Sequence, residues 1–138
     1  MTAHCIESTT NSIVKFEEKR SILHINNKSK RELLRHKVDG CLITVGRKCD
    51  WLLVDEVSKT EVFIELKGAD VDEAVKQLCL SVDALSKKPN KKYGYVVCTR
   101  CPISSPAIQR MQKIVLKSHS LTLRIKKTIH VEDIERLI

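Results

Sequence analysis

The residues of this chain whose types and spacing suit chemistry are Asp50, in Cys49-Asp50-Trp51-Leu52-Leu53-Val54, and the tripeptide Glu65-Leu66-Lys67, which with Gly68 closes the apolar run Val62-Phe63-Ile64. Residues two apart in a strand project from the same face, so Glu65 and Lys67 stand side by side. Asp50 brings a second carboxylate from the preceding apolar run, a hairpin's length upstream. Two carboxylates suit Mg²⁺ or Mn²⁺, which take oxygen ligands and retain waters for substrate phosphate. Such a cation polarises a phosphoryl oxygen and lowers the pKa of a bound water. Lys67 would orient that water and offset charge in the transition state. The adjacent carboxylates hold Lys67 protonated, so a general-base role needs assistance. The chemistry implied is phosphodiester hydrolysis.

Several elements must position these groups. Residues 13–25 mix apolar and charged residues and read as a strand pair or a short helix. Asn26-Asn27-Lys28 reads as a turn. Ser29 is placed to cap a helix over 29–36, with Glu32 in the capping-box position. Three runs of β character follow, 38–45, 49–54 and 61–66, so tightly spaced that they imply an antiparallel meander. Val71, Ala74, Val75, Leu78, Val82 and Leu85 recur at helical spacing behind acidic Asp70, Asp72 and Glu73. The remaining pattern predicts a strand over 93–98, a helix over 106–116 with Pro106 in its first turn, a strand over 121–125, and a short terminal helix or frayed end over 131–138. A strand returning after a crossover helix is usually parallel and right-handed, so the sheet should be mixed.

Composition bounds the partners. The chain has 138 residues and 42% hydrophobic content, consistent with one domain, 1–138, with a core at about 29–125 and a loosely ordered 1–12. The net charge of +8 favours a polyanionic partner, nucleic acid ahead of a membrane surface, since no amphipathic or lipidation motif supports the latter. No run reaches membrane-spanning length and residues 1–12 lack signal-peptide character, so a cytoplasmic location and reduced thiols are expected. Of the six cysteines, Cys98 and Cys101 have metal or redox spacing. No second pair completes a zinc site, and Cys98 reads as a buried small hydrophobe.

The succession of helix, meander with Asp50 and Glu65-Leu66-Lys67, helix and further strands resembles the PD-(D/E)XK nuclease superfamily, which includes restriction endonucleases and Holliday-junction resolvases. The family's proline before the aspartate is replaced by Cys49. The resemblance implies an α/β, restriction-endonuclease-like mixed β-sheet, an antiparallel meander plus parallel strands flanked by helices. It also implies a Mg²⁺- or Mn²⁺-dependent endonuclease acting on DNA rather than RNA. Asp50, Glu65 and Lys67 would be catalytic, and Asp50, Glu65 and the Leu66 carbonyl the metal ligands. Glu32, Asp39 and Gln77 are further catalytic candidates. Glu32 serves equally as a capping residue, Asp39 as a turn residue beside Gly40, and Gln77 as a solvated helix residue; Glu17 and Glu18 are weaker. Lys28, Lys30, Arg31, Arg35 and Lys37, along the expected first helix, are the candidate phosphate contacts. Lys87-Lys88 with Lys91-Lys92 form a second basic cluster and Arg124, Lys126 and Lys127 a third. With one site per chain, cutting both strands of a duplex calls for a homodimer or a partner subunit. The competing readings are a catalytically silent nucleic-acid-binding module and a protein-interaction (immunity or regulatory) module on the same fold. The plain alternative for the triad itself is a surface ion pair of about 0–1 kcal/mol.

Overall fold

The computed structural model describes residues 3–67, 70–87, 89–101 and 104–138. Gly68 and Lys88, named above, lie outside them. A 3₁₀ turn, Ala3–Cys5, leads into β1 (Ile6–Thr9), β2 (Ile13–Glu18), β3 (Ser21–Asn26), β4 (Leu33–Lys37), β5 (Trp51–Asp55), β6 (Thr60–Lys67), α1 (Val71–Leu85), β7 (Lys91–Cys98), α2 (Ser105–His119), β8 (Leu121–Lys127) and β9 (Ile129–Asp133), then a 3₁₀ turn, Ile134–Arg136.

The protein is α/β with a mixed sheet. Six strands run in the order β1-β4-β5-β6-β7-β8 and three more in the order β2-β3-β9. Strands β4, β5 and β6 form an antiparallel meander, and β6, β7 and β8 are parallel. The large sheet has a core on each face. Val62, Ile64, Leu66, Tyr95 and Val97 face the small sheet, packing with Phe16, Leu23, Ile25, Ile134 and Leu137. Phe63, Val96, Leu121 and Leu123 face the helices, packing with Val71, Ala74, Leu78, Val82 and Val115. Strands β6 and β7 are thus apolar on both sides, as central parallel strands covered on both faces are.

Both helices carry the caps their sequences specify. The Asp70 side chain accepts the Glu73 amide proton and the Ser104 side chain accepts that of Ala107, with proline in the first turn of α2. Gly94 on β7 lets the helix layer approach: a Cβ there would lie 3.0 Å from Leu121 Cδ2 and 3.2 Å from Leu78 Cδ1. Among the described residues no helix is long and apolar enough to cross a membrane.

Several expectations are corrected. Residues 29–36 form no helix; the segment enters β4, pairing with β1 and β5. Buried Asn27 sets its path, donating to the Arg31 carbonyl and accepting the Arg31 amide. The period-2 pattern was disguised because an arginine occupies an inward position. The guanidinium of Arg35 lies 3.9 Å over the Trp51 ring and 4.9 Å over Phe16. Second, the meander therefore starts at β4, while residues 38–45 fold into a compact turn in which Cys41 and Ile43 donate to the Val38 carbonyl and Gly40 takes φ +75°. Third, the 131–138 segment is β9 plus a 3₁₀ turn, because β9 completes the small sheet beside β3 and Ile134 and Leu137 plug the inter-sheet core. Residues 6–9, expected to be loose, are paired as β1. Fourth, four of the six cysteines are joined, Cys5 to Cys41 and Cys98 to Cys101, where reduced thiols were expected; Cys49 and Cys79 are free. The 13–25 segment takes the strand-pair alternative.

Candidate active site

Asp50, Glu65 and Lys67 come together where β5 begins and β6 ends. Asp50 straddles Glu65: its amide donates to the Ile64 carbonyl at 3.0 Å, and its Oδ2 accepts the Leu66 amide at 2.9 Å. Along β6, Ile64 and Leu66 point to the small sheet, so alternation sends Glu65 and Lys67 to the helix side. There the Lys67 Nζ donates to Gln77 Oε1 of α1 at 3.4 Å, and Gln77 Nε2 donates to the Lys48 carbonyl at 3.4 Å. Gln77 is therefore at the site, holding the lysine.

The electrostatics are those of a strained acidic pair. Glu65 is 3% exposed, and its Oε1 has no hydrogen-bond partner. Burial, then the negative charge of Asp50, pushes the Glu65 carboxyl up to about 8, against a smaller opposing pull from Lys67. Burial also raises Asp50, opposed by the Leu66 amide. An acid buried without a full set of partners destabilises the fold, by about 1–3 kcal/mol for the unsatisfied atom alone. A divalent cation would supply the missing partner and displace the proton. The residues present thus fit a hard cation held by Asp50, Glu65 and the Leu66 carbonyl, with all-oxygen donors.

The other candidates separate. Asp39 is exposed, and its charge bears on both Asp50 and Glu65, so it belongs to the site's surroundings. Glu18, from the end of β2, also bears on Asp50. Glu32 does not: it precedes β4, accepts a hydrogen bond from Ser8 Oγ and lies toward the opposite end of the sheet. With no helix at 29–36, neither its capping nor its catalytic reading holds. Glu17 pairs with His24 at 3.0 Å. Among the described residues, three ligand atoms of the His, Cys and carboxylate type converge only at His4, Cys5 and Cys41, where two are consumed by the disulfide.

The expected phosphate contacts are scattered rather than beside the carboxylates. Arg31 binds Asp55 through Nε and Nη2, at 3.0 and 2.7 Å, and Asp55 ends β5, roughly 16 Å along the strand from Asp50. Arg35 is half-buried against Phe16 and Trp51 and donates to the Lys15 carbonyl. Lys28 and Lys30 are exposed near the Arg31 end. Of the five, only Lys37, opposite Trp51, sits at the site's end of the sheet. Lys91 and Lys92 start β7 at the far end, and Arg124 is bound to Tyr95 and Glu132, whereas Lys127 ends β8 beside the site.

Sequence reasoning left residues 13–25 open between a strand pair and a helix and did not place the tip of the β2–β3 hairpin at the site. That tip, Glu18 to Ser21, lines a pocket of about 380 Å³ together with Leu66, Lys67 and Thr99. Buried Ser21 donates from Oγ to the Lys67 carbonyl at 3.1 Å. The available signal was the dipeptide Lys19-Arg20 between two alternating runs, Val14/Phe16 and Leu23/Ile25. Larger cavities, of about 640 Å³ beside Arg35, 530 Å³ on the uncovered face of β4 and β5 and 590 Å³ beside Asp83 and His119, contain no comparable acidic pair. Glu61, at the second, is fully hydrogen-bonded by Ser86, Lys87 and Asn90. Comparison with protein-family models, with curated proteins and with solved structures finds no match to this chain.

Proposed function

We propose that this protein is a metal-dependent phosphodiester hydrolase of the PD-(D/E)XK type, a nuclease acting on DNA, with a restriction-endonuclease-like sheet. The observation that carries the reading is the pair of half-buried Asp50 and buried Glu65, with an unpartnered Glu65 Oε1 and Lys67 two residues along the same strand face. A fold retains such a destabilising group where it has a use, and perturbed acids gather at functional sites. The meander that brings Asp50 to Glu65, and the helix that brings Gln77 to Lys67, support the same reading.

Bound Mg²⁺ or Mn²⁺ would polarise the scissile phosphate and supply an acidified water. The chain's own groups do the rest. Asp50 and Glu65 provide the negative oxygens, and the Leu66 amide fixes the Asp50 carboxylate. Lys67, steadied by Gln77, places a positive charge where the phosphate accumulates negative charge. The role of Lys67 is thus electrostatic and orienting.

The test is cleavage of supercoiled, linear and branched DNA, and of RNA, with Mg²⁺ or Mn²⁺. Glu65→Ala and Lys67→Ala should remove cleavage and leave nucleic-acid binding largely intact; removal of one such stabilising charge typically costs about 10²–10³ in rate. Equal cleavage by wild type and Lys67→Ala would overturn the mechanism. Binding without cleavage in any metal would favour the silent-module reading instead.

A further inference from the structure

We propose that the turn between β2 and β3, Lys19-Arg20, is a phosphate-binding element that grips the nucleic-acid backbone next to the candidate centre. The proposal rests on the nucleic-acid reading above and assigns that contact to a part of the chain other than the expected 28–37 segment.

Four observations carry it. The pairing of Glu18 with Ser21 leaves Lys19 and Arg20 as a two-residue tip, with Lys19 in the left-handed region at φ +52°. The tip is anchored to the end of β6: Ser21 Oγ donates to the Lys67 carbonyl, and the Ile22 amide donates to the Thr128 carbonyl at 2.8 Å. Thr128 is itself tied down, its amide donating to the Cys98 carbonyl at 2.8 Å. The tip is therefore held by β6 and, through Thr128, by β7. It also forms one wall of the pocket whose other walls are Leu66, Lys67 and Thr99.

The charges on the tip are available. Lys19 and Arg20 are exposed and have no ion-pair partner among the described residues, whereas Arg31, Arg47 and Arg124 are committed to Asp55, Glu73 and Glu132. Lys67, Cys98 and Lys127 are in register across β6, β7 and β8, so Lys127 ends its strand on the same side. A phosphodiester at the end of β6 would have the Lys67 side chain on the helix side and the anchored Lys19-Arg20 tip on the small-sheet side. An anchored tip loses little conformational freedom on binding, which favours affinity over a free basic tail. Arg20 can bind a phosphate with two donors, and Lys19 adds a point charge.

The experiment compares wild type, the double variant K19Q/R20Q and the control K28Q/K30Q. Glutamine removes the charge, keeps a polar unbranched side chain and leaves the turn's backbone demand at Lys19 unchanged, and circular dichroism checks that each variant folds. Binding to a duplex DNA oligonucleotide is measured in EDTA over a series of salt concentrations, and cleavage in Mn²⁺. Loss of two phosphate contacts lowers the slope of log K against log salt by ~1.8 in magnitude. K19Q/R20Q should show that change, with KM raised and kcat retained, and K28Q/K30Q should show neither. Unchanged slope and KM in K19Q/R20Q, with wild-type cleavage intact, overturn the proposal while leaving the nuclease reading standing. DNA binding that depends on Lys19 and Arg20 without cleavage in any metal supports the turn and overturns the nuclease. A wild type that neither binds nor cleaves overturns both.

Discussion

Glu65→Gln should stabilise the metal-free protein while removing the proposed cleavage, and the sign and size of the stabilisation follow from the burial of that carboxyl. Its folded pKa is raised from 4.5 to about 8. Across that window the folded state holds a proton that the unfolded state has released. Stability therefore falls as pH rises from 4.5 and levels off above about 8. At ~1.36 kcal/mol per pH unit, the fall is on the order of 4–5 kcal/mol. Asp50, shifted in the same direction by burial, adds to the same slope. Glutamine has nearly the same shape and no charge to desolvate, so the variant should lose most of the slope and stand more stable than wild type by several kcal/mol at the alkaline end. The assay is urea denaturation in EDTA across the window, repeated in Mn²⁺. There the wild type should gain stability as pH rises, because metal and proton compete for Glu65, and the variant should gain much less. Parallel pH profiles for the two proteins in EDTA would refute the reasoning, since they would place the titrating group elsewhere.

Arg31→Ala should destabilise the fold by about 3 kcal/mol in chemical denaturation, because it leaves the carboxylate of Asp55, 1% exposed, without its cation. The folded fraction should bind nucleic acid as before, and a selective loss of binding would restore Arg31 as a phosphate contact. Gly94→Ala should cost about 1–3 kcal/mol, since the new methyl meets the side chains of Leu121 on β8 and Leu78 on α1 and forces them to shift; an unchanged Tm would show that the layers are looser than drawn. Replacing Cys5 and Cys41 by alanine should cost about 4 kcal/mol and replacing Cys98 and Cys101 about 2 kcal/mol by loop-closure entropy, because the first bridge closes a far longer loop. Equal costs in non-reducing denaturation would assign the second bridge a larger role in shaping the site.

The reading from sequence succeeded where one pattern had one meaning. The apolar positions of α1 recur over four turns with acids at the start, and the extended runs of β5, β6 and β7 are bounded by turn residues, so these elements lie close to where the pattern put them. Asp50, Glu65 and Lys67 were legible for the same reason: each sits at the end of a continuous apolar run, and alternation decides the face. The reading failed where a polar side chain occupies an inward position. Arg35 is inward because its guanidinium stacks on Trp51 and Phe16, a contact between three separate strands that no local pattern reveals. Glu132 is buried in β9 because Tyr95 and Arg124 meet it there. Both cases made strands look like helices. The Lys19-Arg20 tip escaped notice because its place beside Lys67 depends on how two sheets stack, which the sequence of neither sheet contains.

The parallel pairing of β3 with β9 bears on when this protein can become itself during synthesis. Residues Ile22 to Asn26 find their partners at Ile129 to Asp133, and the core beneath them is closed by Ile134 and Leu137. Contacts of such sequence separation form late, after the loop-closing entropy of nearly everything between them has been spent. Until residues 129–137 leave the ribosome, β3 lacks a neighbour and the Phe16, Leu23 and Ile25 cluster lacks its cover, so the hairpin tip has no firm seat on Lys67. A nascent chain carrying Asp50, Glu65 and Lys67 in full thus still lacks the seat of the hairpin tip, and translation itself would delay the proposed phosphate grip.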